Sequence, residues 1–170
     1  VTYLETLDGS MPIEVFGAHN LSNLAGAKWI CQNMGIDEAE FYEAIASFKG
    51  ASKRLEKIAV TETAVAYKDF AHSPSKVKAT TQAVKKQYPD KKLVACLELH
   101  TYSSLNTEFL TEYQGALDAA DVAVVFYSPD AVAIKKLEEI SKEQIEKAFN
   151  REDLIVYTNP DEFKSFLLVQ

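Results

Sequence analysis

The sequence predicts an α/β fold in which a mainly parallel sheet carries helices on both faces. First, short apolar runs without polar interruptions, typical of buried parallel strands, alternate with amphipathic helical segments in the second half of the chain. Second, polar clusters follow these runs, as loops follow strands in open α/β sheets. Third, 47% of the 170 residues are apolar and 25% are charged, the balance of a globular domain. Together these observations indicate a Rossmann-like frame.

The first part of the chain predicts two β-pairs separated by two helices. The Asp-Gly pair within Leu7–Ser10 predicts a hairpin turn. Apolar residues at helical spacing, with a stop at Gly35, then predict two helices. The expected elements are strands within 1–16, helices over 21–34 and 37–48, and strands over 55–59 and 63–67. The small, basic stretch 49–53 predicts a domain boundary, with one domain over 1–50 and another over 51–170.

The parallel sheet is predicted from the regular alternation that follows. Pro74 suits the first turn of a helix, and Ser141 with Gln144 forms a capping-box pattern. The expected elements are a helix from Pro74 to Tyr88, strand 93–97, helix 106–119, strand 122–127, helix 141–149, strand 154–157 and helix 160–167. The chain starts in a strand and stops at Phe166–Gln170, so we expect a fragment of a longer protein with its final strand region truncated.

Composition excludes several classes of function. A net charge of −7 without a basic stripe argues against a nucleic-acid partner. No apolar stretch approaches the roughly 20 residues that span a bilayer, and no signal segment opens the chain, so we expect a cytoplasmic protein without a membrane partner. Cys31 and Cys96 lack metal-ligand spacing and are expected to be small core residues. The sequence contains no phosphate loop, G-x-G-x-x-G turn, nucleophile elbow or zinc spacing, and predicts no metal site within the chain.

Three polar clusters, each with a histidine, are the candidate site. Asn20 and Asn23, beside His19, lie one turn apart at a helix start, and their amides could read an adenine edge; the alternative is helix capping by Asn20. Asp69 and His72 precede a helix N-terminus, which favours anions; the alternative is a polar turn with Ser73 as the cap.

The third cluster, a polar loop after a buried strand, is expected to line a pocket unless it is merely solvated. It consists of His100, Thr101, Tyr102, Ser103 and Ser104. Arginine is scarce, with Arg54 and Arg151 against many lysines. Because its planar fork suits phosphate or carboxylate, Arg54 beside the second β-pair is a functional candidate.

Four motifs follow one another along the chain: G-x-H-N-L-x-N-L-A-G-A from Gly17, F-K-G-x-x-K-R-L-E from Phe48, Y-K-D-F-A-H-S-P-S-K-V-K-A-T from Tyr67 and L-x-A-C-L-E-L-H-T-Y-S-S from Leu93. In this order they resemble the Mur ligases, the ATP-dependent enzymes of peptidoglycan synthesis. The spelling D-F-A-H-x-P is most similar to the branch that joins UDP-N-acetylmuramate to a recycled L-Ala-γ-D-Glu-meso-diaminopimelate tripeptide, the murein peptide ligases. The UDP-N-acetylmuramate–L-alanine ligases are the next branch.

The resemblance implies that residues 1–50 end a central ATPase domain and that 51–170 form most of a C-terminal Rossmann-like domain. It implies that His19, Asn20, Asn23 and Asp69 bind the nucleotide and that Arg54 reaches its terminal phosphate. His72 and the loop of residues 100–104 would face the acyl phosphate and the incoming amine. ATP phosphorylates the muramoyl carboxylate in this chemistry, and the amine then forms the amide.

Three further expectations concern partners and activity. The magnesium ligands and phosphate loop of the family lie outside this chain, so it should be inactive alone and depend on the protein's other domains. The family's second histidine is Ser73 here, and the loop of residues 100–104 has no arginine, which leaves tripeptide and L-alanine open as amino substrates. A non-catalytic α/β module that binds an acidic metabolite or a protein is the alternative from another class.

Overall fold

The structure, a computed structural model, describes residues 2–7 and 9–169. Val1 at the predicted first strand, Asp8 of the predicted turn and Gln170 of the predicted last element lie outside the described residues. The chain divides into two compact units, Val1–Phe70 and Ala71–Gln170. The β-pair after Gly50 falls in the first unit, and the boundary after Gly50 stays a prediction about the family's domains.

The first unit consists of two antiparallel β-pairs and two helices. Its elements are β1 (Thr2–Thr6), β2 (Gly9–Ile13), α1 (Ala18–Asn33), α2 (Glu38–Ala46), β3 (Glu56–Val60) and β4 (Val65–Lys68). Helix α2 begins at a reciprocal capping box between Asp37 and Glu40. Helix α1 begins three residues before its predicted start, after Gly17, whose φ of 89° is readily adopted only by glycine.

The second unit contains a parallel sheet in the strand order β5-β6-β7. Its elements are α3 (Pro74–Gln87), β5 (Val94–Leu99), α4 (Thr107–Leu110) with a 3₁₀ turn (Thr111–Tyr113), β6 (Val122–Tyr127), α5 (Pro129–Ile134), α6 (Lys142–Phe149), β7 (Ile155–Tyr157) and α7 (Pro160–Leu167). None of the helices within the described residues is both long and apolar enough to cross a membrane.

Both faces of this sheet carry helices, which confirms the predicted fold class. Leu97, Val125 and Val156 share one row of the sheet and belong to a buried core with Ile145 and Phe149 of α6. On the opposite face α7 packs through aromatic rings. The rings of Phe126 and Phe163 are stacked with centroids 5.3 Å apart, and those of Tyr157 and Phe166 are 5.6 Å apart.

The structure differs from the sequence-based expectations at three places. The helix predicted over 106–119 ends early, because Gln114 leaves the helical region and Gly115 has a φ of 71°. Helix α5 was not predicted, although Ser128 accepts a bond from the Ala131 N–H as its N-cap and Pro129 is its first residue. Cys96 is exposed, not a core residue, because it lies on an edge strand opposite the buried Leu97 face; Cys31 is half-buried.

Candidate functional site

A cavity of about 460 Å³ in the first unit brings two of the sequence motifs together. Asn20 from α1, Arg54 from the turn before β3 and Tyr67 from β4 all contribute to its lining. The folding of the second β-pair beside the start of α1 therefore places an amide and a guanidinium, 34 positions apart in sequence, around one space. We call this space the Asn20–Arg54 cavity.

The charges that line the Asn20–Arg54 cavity favour an anionic ligand. Lys49, Arg54 and Lys57 contribute three positive side chains, and Glu14 and Glu56 contribute two negative ones. No acidic side chain in the described part of the chain forms an ion pair with Arg54, so its charge is not already neutralised. A guanidinium in this state can bind phosphate or carboxylate oxygens through paired hydrogen bonds.

Asn20 is held by the backbone and does not cap its helix. Its Nδ2 donates to the Phe16 carbonyl at 2.9 Å, and the buried Phe16 ring packs edge-on against Tyr67 with centroids 5.5 Å apart. The N-cap of α1 is Gly17, without a side-chain capping bond, so the capping alternative is wrong. One of the two amide N–H donors is thus used to fix the side chain, which leaves the other donor and the oxygen for a ligand.

The other two residues of the first cluster lie outside the lining of the Asn20–Arg54 cavity. His19 is half-buried and Asn23 is exposed one turn farther along α1. Asn20 and Asn23 share a helix face, as their spacing predicts. The structure therefore brings Asn20 and Arg54 to one cavity. His19 and Asn23 lie on the same helix as Asn20 but do not line this cavity.

Arg54 is carried by a compact turn over residues 51–56, which we call the arginine turn. Its flanking residues, Lys53 and Leu55, have φ angles of 56° and 47°, in the left-handed region that non-glycine residues rarely occupy. The Arg54 N–H donates to the Ala51 carbonyl at 3.1 Å, which closes the turn. The Arg54 guanidinium carbon lies 5.9 Å from the centre of the Phe70 ring.

Asp69, predicted as a nucleotide ligand, contacts the arginine turn. Its Oδ2 accepts a hydrogen bond from the Leu55 N–H at 2.8 Å, immediately after strand β4. Next to it, the Phe70 N–H donates to the Lys53 carbonyl at 2.9 Å. The motif that begins at Tyr67 thus supports the motif that begins at Phe48. Their spacing along the chain does not reveal this contact.

In the second unit, the predicted loop after β5 forms a closed hydrogen-bond network. The Thr101 N–H donates to Ser104 Oγ at 2.9 Å, and the Ser104 N–H donates to Thr101 Oγ1 at 3.0 Å. Ser104 is only 1% exposed, whereas Tyr102 and Ser103 are exposed and His100 is half-buried with Nδ1 3.3 Å from the Glu98 carbonyl oxygen. Ser104 therefore shapes the loop, and His100, Tyr102 and Ser103 are the members more available to a ligand.

Lys135 lies beside this loop and was missed by the sequence analysis. Its Nζ is 4.9 Å from the centre of the Tyr102 ring. Lys135 directly follows α5, the helix that was not predicted, after the neighbouring strand β6. Because the carboxyl ends of parallel strands meet at one edge of a sheet, the loops after β5 and β6 come together here. Lys135 thus places a positive charge beside the loop of residues 100–104, which contains no arginine.

His72 is fixed through its backbone by a buried tyrosine. The Tyr113 hydroxyl donates to the His72 carbonyl, and the Tyr113 ring stacks on Phe149 with centroids 5.2 Å apart. Burial raises the pKa of Tyr113 to about 12, so this hydroxyl remains a donor at neutral pH. Ser73 holds the N-cap position of α3 without a capping bond from its side chain.

The described residues do not fit a metal centre. Within residues 2–7 and 9–169, no group of three or more His, Cys, Asp or Glu side chains is arranged to hold a metal ion.

Comparison with curated proteins finds UDP-N-acetylmuramate–L-alanine ligases. The protein from Lactococcus lactis subsp. lactis (strain IL1403) is 33% identical over 113 residues, which are 66% of this chain and 25% of the relative. The protein from Gloeothece citriformis (strain PCC 7424) is 32% identical over 157 residues, covering 89% of this chain and 31% of the relative. The chain thus spans about a quarter to a third of the length of these relatives. No protein-family profile matches the chain.

Solved structures share the fold at lower identity. A UDP-N-acetylmuramate–alanine ligase from Thermotoga maritima matches 92% of this chain and 33% of its own length, with a TM-score of 0.69 and 21% identity. A murein peptide ligase from Psychrobacter arcticus matches 94% of this chain and 33% of its own length, with a TM-score of 0.61 and 20% identity. These matches show the fold alone: the chain folds like a segment that makes up about a third of each of those ligases.

Proposed function

Because this chain belongs to the Mur ligase family, we propose that it is part of an ATP-dependent amide ligase that acts on UDP-N-acetylmuramate. The observation that carries the proposal is the Asn20–Arg54 cavity, where residues of two separate motifs meet. An excess of positive side chains around an oriented amide is suited to a nucleotide, which combines phosphates with a hydrogen-bonding base. We propose that the protein acts in the cytoplasm in peptidoglycan synthesis or recycling.

In this proposal the first unit binds ATP. The Asn20 amide binds the adenine, with His19 and Asn23 beside it, and Asp69 lies near the ribose. Arg54 contacts the terminal phosphate while it passes to the muramoyl carboxylate, which gives an acyl phosphate and ADP. Positioning and neutralisation of the phosphoryl charge dominate such reactions, so Arg54 matters more than any general base. Magnesium ligands would come from outside the described residues.

The second unit would receive the amine in the next step. We propose that His72 and the loop of His100, Thr101, Tyr102, Ser103 and Ser104 face the acyl phosphate and the amino substrate. The amine attacks the acyl carbon, the amide bond forms and inorganic phosphate leaves. The location of this loop, at the carboxyl edge of the parallel sheet, is where α/β folds place their ligands.

Two amino substrates are supported by different observations. The curated relatives are by name L-alanine ligases, and they share 33% and 32% identity with this chain, which favours L-alanine. The D-F-A-H-S-P motif supports a recycled tripeptide. We place L-alanine first because sequence identity over most of the chain weighs more than one short motif.

The test is phosphate release by the full-length protein with ATP and UDP-N-acetylmuramate. L-alanine is compared with the tripeptide carrying diaminopimelate or lysine. Arg54→Ala should lower turnover by about a hundredfold or more, and Arg54→Lys by less, because an arginine at a transferring phosphate contributes about 10³ to 10⁵ in rate. Lys86→Ala, which removes an exposed positive charge from the last turn of α3, is the matched control.

Each outcome is informative. Turnover with only one of the two amino substrates, L-alanine or the tripeptide, assigns the substrate and the step of cell-wall metabolism. An active enzyme in which Arg54→Ala equals Lys86→Ala contradicts the role of Arg54. No phosphate release with any of these substrates favours the non-catalytic binding module.

A further inference from the structure

We infer that Glu56 is a positioning residue for Arg54: its carboxylate holds the arginine turn in the conformation that places the guanidinium at the cavity. This inference rests on the proposed function, since that function supplies the phosphate that Arg54 contacts. It adds a residue that neither the predicted site nor the comparisons assign.

The arginine turn is conformationally costly on both sides of Arg54. Lys53 and Leu55 both have positive φ, and neither is glycine, so each places its Cβ near a backbone carbonyl oxygen. Residues in such conformations persist only where surrounding contacts over-determine them, and they cluster at functional sites. The direction of the intervening Arg54 side chain depends on both conformations being kept.

Two carboxylates supply those contacts, one from the turn itself and one from the residue after β4. Glu56 Oε2 accepts hydrogen bonds from the Lys53 N–H at 2.8 Å and from Ser52 Oγ at 3.3 Å. Asp69 Oδ2 accepts one from the Leu55 N–H at 2.8 Å. Each left-handed residue thus donates its backbone N–H to one carboxylate. Hydrogen bonds to an ionised acceptor are stronger than neutral ones, which suits them to holding a strained backbone.

The geometry favours an indirect role for Glu56. It lines the same cavity as Arg54, where a bare carboxylate would repel an anionic ligand. Its Oε2 hydrogen bonds are directed back to residues 52 and 53 of its own turn, so its negative charge is partly balanced by N–H and O–H dipoles. We therefore assign Glu56 to the placement of Arg54 and not to contact with the reacting atoms.

The experiment removes the Glu56 carboxylate and, in a further variant, relieves the backbone strain at Lys53. In the full-length ligase, Glu56→Ala should lower kcat for phosphate release by about ten- to a hundredfold, the effect of displacing a catalytic group by about 1 Å. Glu56→Gln keeps an acceptor oxygen and should stay within about threefold of wild type. Glu62→Ala, an exposed carboxylate in the β3–β4 turn, is the matched control.

Lys53→Gly distinguishes positioning from direct contact. Lys53 is exposed and outside the cavity lining, and glycine adopts positive φ readily, so this variant alone should keep near-wild-type activity. Added to Glu56→Ala, it should recover about tenfold in kcat. A direct chemical role of Glu56 would give no recovery. The same five variants, the double variant included, are compared by hydrogen exchange over residues 51–56, where Glu56→Ala should accelerate exchange and Glu56→Gln should not.

The two proposals fail in different ways. If the wild type releases no phosphate, the proposed function is wrong. The positioning role is tested separately: it is overturned if Glu56→Ala leaves the hydrogen exchange of the arginine turn unchanged. If the wild type is active, a Glu56→Ala enzyme equal to Glu62→Ala overturns the inference. A large loss without recovery by Lys53→Gly also overturns it, because Glu56 would then act on the ligand itself.

Discussion

The two arginines of this chain are expected to have opposite phenotypes, which a pair of substitutions can test. Arg151 is 13% exposed in its side chain and donates to the Leu117 carbonyl at 2.5 Å and the Ala120 carbonyl at 2.9 Å. It also forms a two-pronged pair with Asp153, at 2.6 and 3.0 Å. Arg54 instead faces a cavity and contacts one ring. Arg151 should stabilise the fold, and Arg54 should not.

The magnitudes follow from these contacts. Arg151→Ala leaves two partly buried carbonyl oxygens without their charged donor, at about 1 to 2 kcal/mol each, so we expect a loss of about 2 to 4 kcal/mol in the free energy of unfolding. The exposed pair with Asp153 adds little. Arg54→Ala removes a solvent-exposed cation–π contact and should cost no more than about 1 kcal/mol.

The assay is urea unfolding of the 170-residue chain, followed by circular dichroism. With an m-value of about 2 kcal/mol per molar urea, a loss of 3 kcal/mol lowers the midpoint by about 1.5 M, whereas Arg54→Ala should shift it by less than about 0.5 M. Arg151→Lys should fall between, since one ammonium cannot replace the fork at both carbonyls. An unchanged midpoint for Arg151→Ala, or equal losses for the two alanine variants, would refute the assignment.

Two further expectations concern the second unit. Tyr113→Phe keeps the stack on Phe149 but removes the donor to the His72 carbonyl, so the unfolding free energy should fall by about 1 to 2 kcal/mol in urea titrations; no change would show that this bond is replaced by water. The Leu93 N–H and then Lys85 lower the pKa of Asp121 below its ordinary 3.8. Its folded pKa lies below its unfolded pKa, so the stabilisation is present above about pH 4 and is lost as the pH falls through the folded value. Asp121→Asn should therefore destabilise the chain at pH 7 more than at about pH 2 in parallel thermal melts; equal effects at both values would contradict this linkage.

Periodicity and capping patterns predicted much of the fold because they are local. The strands over 93–97, 122–127 and 154–157 and the helix over 141–149 match β5, β6, β7 and α6 closely. These segments carry unbroken apolar runs or a capping box, which depend on residues within one turn or strand. The helix over 106–119 failed because the pattern of apolar residues continues through Gly115, where the backbone turns.

The sequence identified the candidate residues but not the contacts that they make with one another. Asn20 and Arg54 were singled out separately, and the structure shows them in one cavity. The binding roles of the site residues remain predictions. The hydrogen bonds from the Leu55 N–H to Asp69 and from the Lys53 N–H to Glu56 were not foreseen, because a left-handed turn without glycine leaves no recognisable sequence pattern.

The sequence by itself determined the α/β class, the family and the order of most elements, since these depend on local periodicity and on ordered motifs. Only the tertiary structure decided that Asn20 and Arg54 share a cavity, that Arg151 donates to the Leu117 carbonyl and that Lys135 lies beside Tyr102. Each of these pairs residues that are distant along the chain. Their proximity is set by the packing of whole strands and helices, and single-residue propensities carry no information about it.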